Sequence, residues 1–253
     1  MKYPSTQRPH FHLFLSKEKK RIKKKTTSIV WAADSVNSGF ARRKNSESIV
    51  VFREEEFFKV CMHELIHAMG WDIEDDGRYG NTFISSFRIE TMIPVYLNEA
   101  YTETWAILMN IIRCSKDRED VSYYLDIERS FSLFQTAKIL HHSGFKNYES
   151  FYNDASSFPS EPSIKQETSI FSYFILRSAF FFDLNWLVTV FHDIPFGSRD
   201  PTYLVDQAHF VFSSTSFSVT MNRLMDIVKR LHLEDSIFDL DMLRLTAVEV
   251  KSL

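Results

Sequence analysis

The sequence FFKVCMHELIHAMGWD, residues 57–72, carries two histidines and a glutamate inside an otherwise apolar stretch. The stretch shows no strand-like alternation and is long enough for a helix. Gly70 is placed to end that helix, because glycine readily adopts the left-handed conformation found at helix C-termini. Three glutamates, residues 54–56, precede the stretch, and we expect them in the first turn, where negative charge suits the helix dipole. The pattern predicts a core helix that contains three polar side chains, and these require a chemical explanation.

His63 and His67 suggest that explanation, since residues four apart lie on one face of a helix. Their imidazole nitrogens can converge on one point and form half of a zinc site. Glu64 is rotated by about 100° from His63 and can address a water molecule rather than the metal. This H-E-x-x-H arrangement arises by chance often enough that it does not identify a metal site by itself.

A catalytic zinc site needs a third protein ligand, for which the sequence offers three alternatives. The metzincin pattern would place it three residues after the glycine that ends the helix, but Ile73 stands there and Asp72 is one residue early. The acidic loop DIEDD, residues 72–76, could instead supply Asp75 or Asp76, although clustered loop carboxylates are usually solvated.

The third alternative is LNEAYTETWA, residues 97–106, where Glu99 and Glu103 are again four apart in apolar surroundings. On a helix these two carboxylates share one face. Buried together without a metal, they would repel each other. The stretch therefore predicts either a ligand with an orienting partner, or a helix unrelated to the first whose charges reach solvent.

The order HELIH followed by NEAYTE resembles the gluzincin metallopeptidases, the thermolysin-like zinc peptidases. The resemblance implies that Glu99 is the third zinc ligand. It also implies that Glu103 orients His63 and that Asn98 helps to hold His67. Two features depart from thermolysin: the orienting residue there is usually aspartate, and the gap of 31 residues between His67 and the ligand glutamate is longer here.

Residues 11–110, and loosely 169–178, also resemble small proteins encoded by large nucleocytoplasmic DNA viruses. The shared features are a strand, an acidic start to the H-E-x-x-H helix, and a later block similar to NExYTExWA. This likeness implies a viral protein of the host-cell cytoplasm or the virion. The N-terminus lacks the apolar run of a signal peptide, and the two cysteines, Cys61 and Cys114, fit a reducing compartment. We therefore expect an intracellular, non-secreted protein.

Peptide hydrolysis needs a hydrogen-bond donor for the oxyanion of its transition state, and thermolysin-like enzymes use a tyrosine or a histidine. The candidates are Tyr79, His142, Tyr173, His192 and His209. Spacing selects none of them, but the family likeness extends to SIFSYFILRS and so favours Tyr173. Upstream, VNSGF, residues 36–40, resembles the edge strand to which substrates of such enzymes add as a further strand. An ordinary turn is an equally good interpretation of VNSGF.

Composition indicates a globular chain: 253 residues, 44% hydrophobic and 25% charged, can bury a sizeable core. Only 6 glycines favour helices, and a net charge of −3 gives no overall field that would attract nucleic acid. We predict an α+β fold, mostly α, in which a few strands are followed by helices. The expected organisation is a single zincin-like domain over 1–253, with a small sheet and the metal helix in about 8–70 and a helical part in about 82–253.

Strands are predicted at 11–15, 27–33 and 48–52. Helices are predicted at 86–113 with a restart near Pro94, at 120–142, 165–192, 203–213 and 217–232, and from 239 onward, with a linker at 154–163. The apolar segment 169–193 is interrupted by Arg177, Asp183 and Asn185, so we interpret it as a buried helix rather than a membrane span.

The run KEKKRIKKK, residues 17–25, contains seven basic residues in nine. Its simplest interpretation is a solvated loop or a guard of a sheet edge. The alternative is a nuclear-targeting or nucleic-acid-binding patch.

These patterns together predict a zinc peptidase that acts on a peptide or protein substrate. Zn²⁺ would polarise the scissile carbonyl and its bound water, the nucleophile, while Glu64 acts as general base. A structural or virion protein that keeps the zincin fold without activity is the alternative. A nucleic-acid-binding module that uses the basic run ranks last.

Overall fold

The computed structural model describes residues 8–22, 29–42, 48–152, 162–193, 201–233 and 240–249; the side chains of 191–193 and 233 are not described. In chain order its elements are β1 (His10–Ser16), β2 (Val30–Trp31), α1 (Ala33–Val36), β3 (Gly39–Ala41), β4 (Ser48–Arg53), α2 (Phe57–Met69), α3 (Gly80–Ile84), β5 (Ile89–Thr91), α4 (Leu97–Cys114), α5 (Arg118–His142), β6 (Ile164–Gln166), a π-helical turn (Phe171–Leu176), α6 (Arg177–Phe182), α7 (Leu184–Asp193), α8 (Thr202–Ser213) and α9 (Thr215–Leu233). About 56% of the structure is helical, which confirms an α+β fold that is mostly α.

The N-terminal sheet has the order β1-β4-β3, with β4 parallel to β1 and antiparallel to β3. Alternation along β4 buries Ile49 and Val51, and these side chains form a small core with Val60 and Ala68 of α2. Because a strand points successive side chains to opposite faces, one face of β4 is covered by α2. The sheet thus supports the helix that carries the two histidines.

Helix α2 begins later than its acidic start suggested. Glu56 precedes it with a left-handed backbone, φ 58°, and no acidic residue lies in the first turn. The prediction that residues 54–56 complement the helix dipole is therefore wrong. Burial explains the difference, since the Glu56 carboxylate turns inward to pair with Lys20. The end of α2 matches the prediction, with Gly70 in the left-handed conformation at φ 64°.

Lys20 also corrects the interpretation of the basic run as a solvated loop. Its side chain is fully buried and pairs with Glu56, whereas Lys19 is half exposed. Ile22 lies in the main core. Residues 23–25 of the run are outside the described residues, so the alternative of a targeting or nucleic-acid patch stays a prediction.

A second sheet, with the order β2-β6-β5, was not predicted. All its pairings are parallel. Its strands β5 and β6 lie in segments for which helix was predicted, and each is only three residues long. Such short strands form because distant segments meet in the fold, and local sequence patterns do not record that meeting.

The apolar segment predicted as one helix over 165–192 is instead broken. It contains β6, the π-helical turn, α6 and α7, and the chain turns at Asp183, whose side chain accepts a hydrogen bond from the backbone N–H of Trp186. Within the described parts of the chain, none of the helices by itself combines the length and the hydropathy of a membrane span. Two consecutive helical segments, Phe171–Phe182 and Leu184–Val190, reach the length and hydropathy of a span only when they are taken together. They are bent by 99° relative to each other.

The tail was predicted as helix from residue 239, but 240–249 has irregular structure. Buried carboxylates hold it in place. Glu56 accepts the N–H groups of Leu245 and Thr246, both at 2.6 Å, and Glu128 accepts those of Ala247 and Val248 at 2.9 and 3.0 Å. Tertiary hydrogen bonds therefore replace the helical ones. The linker predicted at 154–163 lies almost entirely outside the described residues.

Candidate metal centre

The two histidines of α2 and one glutamate of α4 converge on a single point. The Nε2 atoms of His63 and His67 are 3.1 Å apart, and Oε2 of Glu99 lies 3.5 Å from the first and 3.4 Å from the second. Among the residues that the structure describes, this is the group of three or more potential metal ligands whose ligating atoms lie within 4.8 Å of one another.

The acidic loop that was an alternative source of the third ligand has other tasks. Asp75 accepts hydrogen bonds from the backbone N–H groups of Gly77 and Leu97, so it stabilises the start of α4. Asp76 is exposed and pairs with Arg78. The structure thus brings Glu99, and neither of these aspartates, to the two histidines.

Each imidazole directs its other nitrogen to a buried carboxylate. Nδ1 of His63 lies 2.8 Å from Oε2 of Glu103, as the resemblance implied. Nδ1 of His67 lies 2.9 Å from Oδ2 of Asp72, not from Asn98, whose amide instead approaches the same Asp72 oxygen at 3.4 Å. Asn98, which was expected to help hold His67, therefore reaches it through the carboxylate of Asp72. The turn after Gly70 instead brings the carboxylate of Asp72 to the imidazole of His67.

These contacts fit a bound metal ion, and the dimensions of a zinc site provide a comparison. If each Nδ1–H donates to its carboxylate, both Nε2 atoms carry lone pairs that face each other and Oε2 of Glu99. That oxygen is buried and makes no hydrogen bond of ordinary geometry. A tetrahedral zinc site with bonds of about 2.0–2.1 Å places neighbouring ligand atoms about 3.3 Å apart. The three separations lie close to this value, so one cation would satisfy all three acceptors.

The charges of the site also favour a bound cation. Burial lowers the pKa of His67, but the Glu99 carboxylate and the hydrogen bond to Asp72 raise it more, to about 10. Burial likewise acts against the ionised form of Glu99, yet the two imidazoles hold its pKa well below the usual value. Without a metal, the arrangement therefore attracts protons, and a divalent ion would take their place.

Glu64 lies beside the ligands without joining them. It is buried, and this burial raises the pKa of its carboxyl group. Gly39 of β3 packs so closely that a Cβ atom there would lie 3.1 Å from Cγ of Glu64 and 2.8 Å from the Val50 carbonyl oxygen. Glycine is thus required where the edge strand passes the glutamate. VNSGF therefore includes an edge strand as well as a turn.

Tyr173 is the oxyanion candidate that reaches the centre. Its ring lies 5.8 Å from that of His63, and both residues line one pocket together with Glu64. Burial raises the pKa of the hydroxyl well above its ordinary value, so it stays a proton donor. The π-helical turn that contains Tyr173 was not predicted, and such turns often occur at functional sites.

The other oxyanion candidates have different neighbours. His142 packs against His141 and His232, and His209 stacks on Phe83. Tyr79 contacts the main core, and the side chain of His192 is outside the described residues.

Three charged residues next to the candidate ligands were not predicted from the sequence. Asp72 was considered only as a metal ligand, while Lys59 received no role and Arg177 was taken only as an interruption of an apolar helix. Lys59 donates to Glu103 at 2.8 Å, and Arg177 lies 3.6 Å from the same oxygen. For Lys59 a signal was present, because it lies four residues before His63 on the same face of α2.

Comparison of the chain with known protein families, curated proteins and solved structures gives no match.

Proposed function

We propose that this chain is a zinc-dependent peptidase with a zincin-like fold, and that His63, His67 and Glu99 hold the metal. The observation that carries this proposal is the convergence of three hydrogen-bond acceptors beside a buried glutamate that is not among them. A purely structural zinc site has four protein ligands, whereas a catalytic site keeps one position open. His63, His67 and Glu99 would leave such a position, since no fourth candidate ligand joins them among the described residues.

A zinc ion at this point would polarise a peptide carbonyl and lower the pKa of a water molecule. The task of Glu64 is to take the proton of the attacking water and deliver it to the leaving amine. A general base works best with a pKa near the working pH, and burial raises the pKa of Glu64 in that direction. Its place one residue after His63 puts it beside the ligands but on a different side of α2.

Two further features supply substrate contacts. The neutral hydroxyl of Tyr173 is a hydrogen-bond donor for the developing oxyanion. The strand β3 lies at the edge of its sheet, directly against Glu64, so an extended substrate backbone can pair with it. Both features support a peptide rather than a small molecule as the substrate.

The test is a comparison of the wild type with Glu64→Gln. The amide is nearly the same size as the carboxylate but does not accept the water proton. We expect cleavage of a broad peptide library to fall by about 10²–10⁴-fold or more. Zinc content and melting temperature should stay close to wild type.

Two results would contradict the proposal. If the wild type holds zinc but cleaves no peptide, the inactive structural or virion protein becomes the better hypothesis. If Glu64→Gln cleaves as fast as the wild type, Glu64 is not the general base. A His63→Gln variant, which removes a ligand, is the control for contaminating peptidases.

A further inference from the structure

The carboxylate of Glu103 is contacted on both oxygens by residues of α2, and Arg177 of α6 lies near one of these oxygens. Oε2 lies 2.8 Å from Nδ1 of His63, and Oε1 lies 2.8 Å from Nζ of Lys59. The guanidinium of Arg177 is 3.6 Å from Oε1. All four residues are buried. Only one of these contacts, the one to His63, follows from the resemblance to a known family.

Lys59 and Arg177 enter this cluster from two directions. Lys59 precedes His63 by one helical turn in α2, so both side chains lie on the same face. Arg177 begins α6, directly after the π-helical turn that carries Tyr173. The cluster therefore joins the metal helix α2, the ligand helix α4 and the Tyr173 segment through one carboxylate.

Charge balance indicates why two cations are present. The site contains four carboxylates, those of Glu64, Asp72, Glu99 and Glu103. A divalent metal ion neutralises only two of these charges. Lys59 and Arg177 supply the other two positive charges, while the neighbouring Lys20 pairs with Glu56. Buried charges are tolerated only when they are paired, so each cation has a definite electrostatic task.

The cost of burying Arg177 supports the same interpretation. Its NH1 atom donates to the carbonyl of Leu245 at 2.6 Å, but its Nε and NH2 atoms make no hydrogen bond. A buried guanidinium with two unsatisfied nitrogens is unfavourable unless it serves another purpose. The carboxylates that favour its charged form are those of Glu103, Glu128 and Glu56, all of them buried.

We propose that Lys59 and Arg177 are positioning residues that hold the Glu103 carboxylate against Nδ1 of His63 and so keep Nε2 of His63 directed at the metal. This inference rests on the proposed metal site but not on peptidase activity. Loss of either cation frees Glu103 to turn away, and the imidazole then loses its fixed orientation. The consequence is weaker metal binding, with no direct contact between either cation and the metal.

The experiment measures zinc affinity by competition with a chromogenic chelator. We expect Lys59→Met and Arg177→Met each to weaken zinc binding by roughly 10–100-fold, the usual effect of removing an orienting partner. Asn110→Ala is a matched control. It removes a hydrogen bond to the tail at Val248 without touching Glu103, and its zinc affinity should equal that of the wild type.

A double-mutant cycle separates positioning from general destabilisation. In a Glu103→Gln background, Lys59→Met should change zinc affinity by no more than about 2-fold, because the carboxylate it positions is already gone. If Lys59→Met weakens binding equally in both backgrounds, it acts on the fold, and the inference is wrong. Lys59→Gln and Arg177→Gln replace the methionine variants in the same cycle should those not fold.

Failure of the wider proposal gives a different result. A wild-type chain that binds no zinc overturns the metal site, and this inference with it. A wild type that binds zinc, cleaves nothing and shows the expected cycle supports the positioning role in a protein without peptidase activity.

Discussion

At the scale of single residues, the site is defined by which nitrogen or oxygen each side chain presents. The two histidines present Nε2 to each other because Glu103 and Asp72 occupy their Nδ1 atoms. Glu99 adds an oxygen without a hydrogen bond. The chemistry of the centre therefore depends on buried partners as much as on the ligands.

The first prediction concerns the ligand glutamate. Glu99→Ala should lose zinc, because two imidazoles alone leave the metal with too few protein ligands. Asp76→Ala is the control, since Asp76 is an exposed carboxylate from the alternative loop. Metal analysis of both purified variants checks the assignment. Equal zinc content in Glu99→Ala and wild type would show that the third ligand lies elsewhere.

The second prediction concerns pH. In the metal-free protein the pKa of His67 rises from 6.5 to about 10 because Glu99 and Asp72 together outweigh the effect of burial. A raised pKa stabilises the fold fully below pH 6.5, and this stabilisation is lost as pH rises through about 10. The melting temperature of chelator-treated protein should therefore fall over this interval.

Thermal melts across that pH range, with and without zinc, provide the measurement. The fall should be smaller in His67→Gln, which has no imidazole to titrate at this position. A metal-free wild type whose stability rises with pH over the same interval would contradict the proposed charge arrangement.

At the scale of elements, neighbouring polar residues of the same type differ in whether the fold buries them. The run of residues 17–25 is predominantly basic, yet Lys20 is buried while Lys19 is half exposed. Glu56 then binds both Lys20 and the backbone of the tail at Leu245. The Glu56 carboxylate thus ties the residue before α2 both to Lys20 and to the segment 240–249.

The third prediction compares these two lysines. Lys20→Met should lower the free energy of unfolding by about 3–5 kcal/mol, because it leaves the Glu56 carboxylate buried without its cation. Lys19→Met removes a long pair of 3.9 Å between a half-exposed lysine and Glu55, whose carboxylate still accepts the backbone N–H of Lys20, and should change the free energy by about 0–1 kcal/mol. Urea denaturation of both variants measures the difference. Equal losses would mean that the buried pair has no special role.

At the scale of the whole molecule, the ligands connect two regions of the core. The histidines belong to α2, which packs against the N-terminal sheet through the smaller core cluster. Glu99 belongs to α4, which packs in the larger cluster with the helices that follow it. A bound metal would therefore cross-link the two clusters.

The fourth prediction follows from this cross-link. A ligand that binds only the folded state stabilises it, by about 2.7 kcal/mol at 100 times its dissociation constant. Zinc should raise the melting temperature of the wild type and leave that of Glu99→Ala unchanged. Calorimetry of metal-free and zinc-loaded samples measures both. A wild type that melts at one temperature in both states would exclude a metal shared between the clusters.

The sequence by itself determined the local features of this protein. The apolar stretch that ends at Gly70 predicts α2. A spacing of four places His63 and His67 on one face of that helix, and the same spacing places Glu99 and Glu103 on one face of α4. These features depend on helix geometry, which is fixed by residues close in the chain. The α+β class followed in the same way from strands at the start and helices after them.

Only the tertiary structure decided which distant groups meet. It brought Asp72 rather than Asn98 to His67, directed Lys20 inward, broke the apolar segment around Asp183 and paired three short strands into a second sheet. Each outcome depends on competition among buried polar groups for partners that lie far apart in sequence. Local propensity does not record that competition, because a buried charge accepts whichever opposite charge the packed core brings within reach.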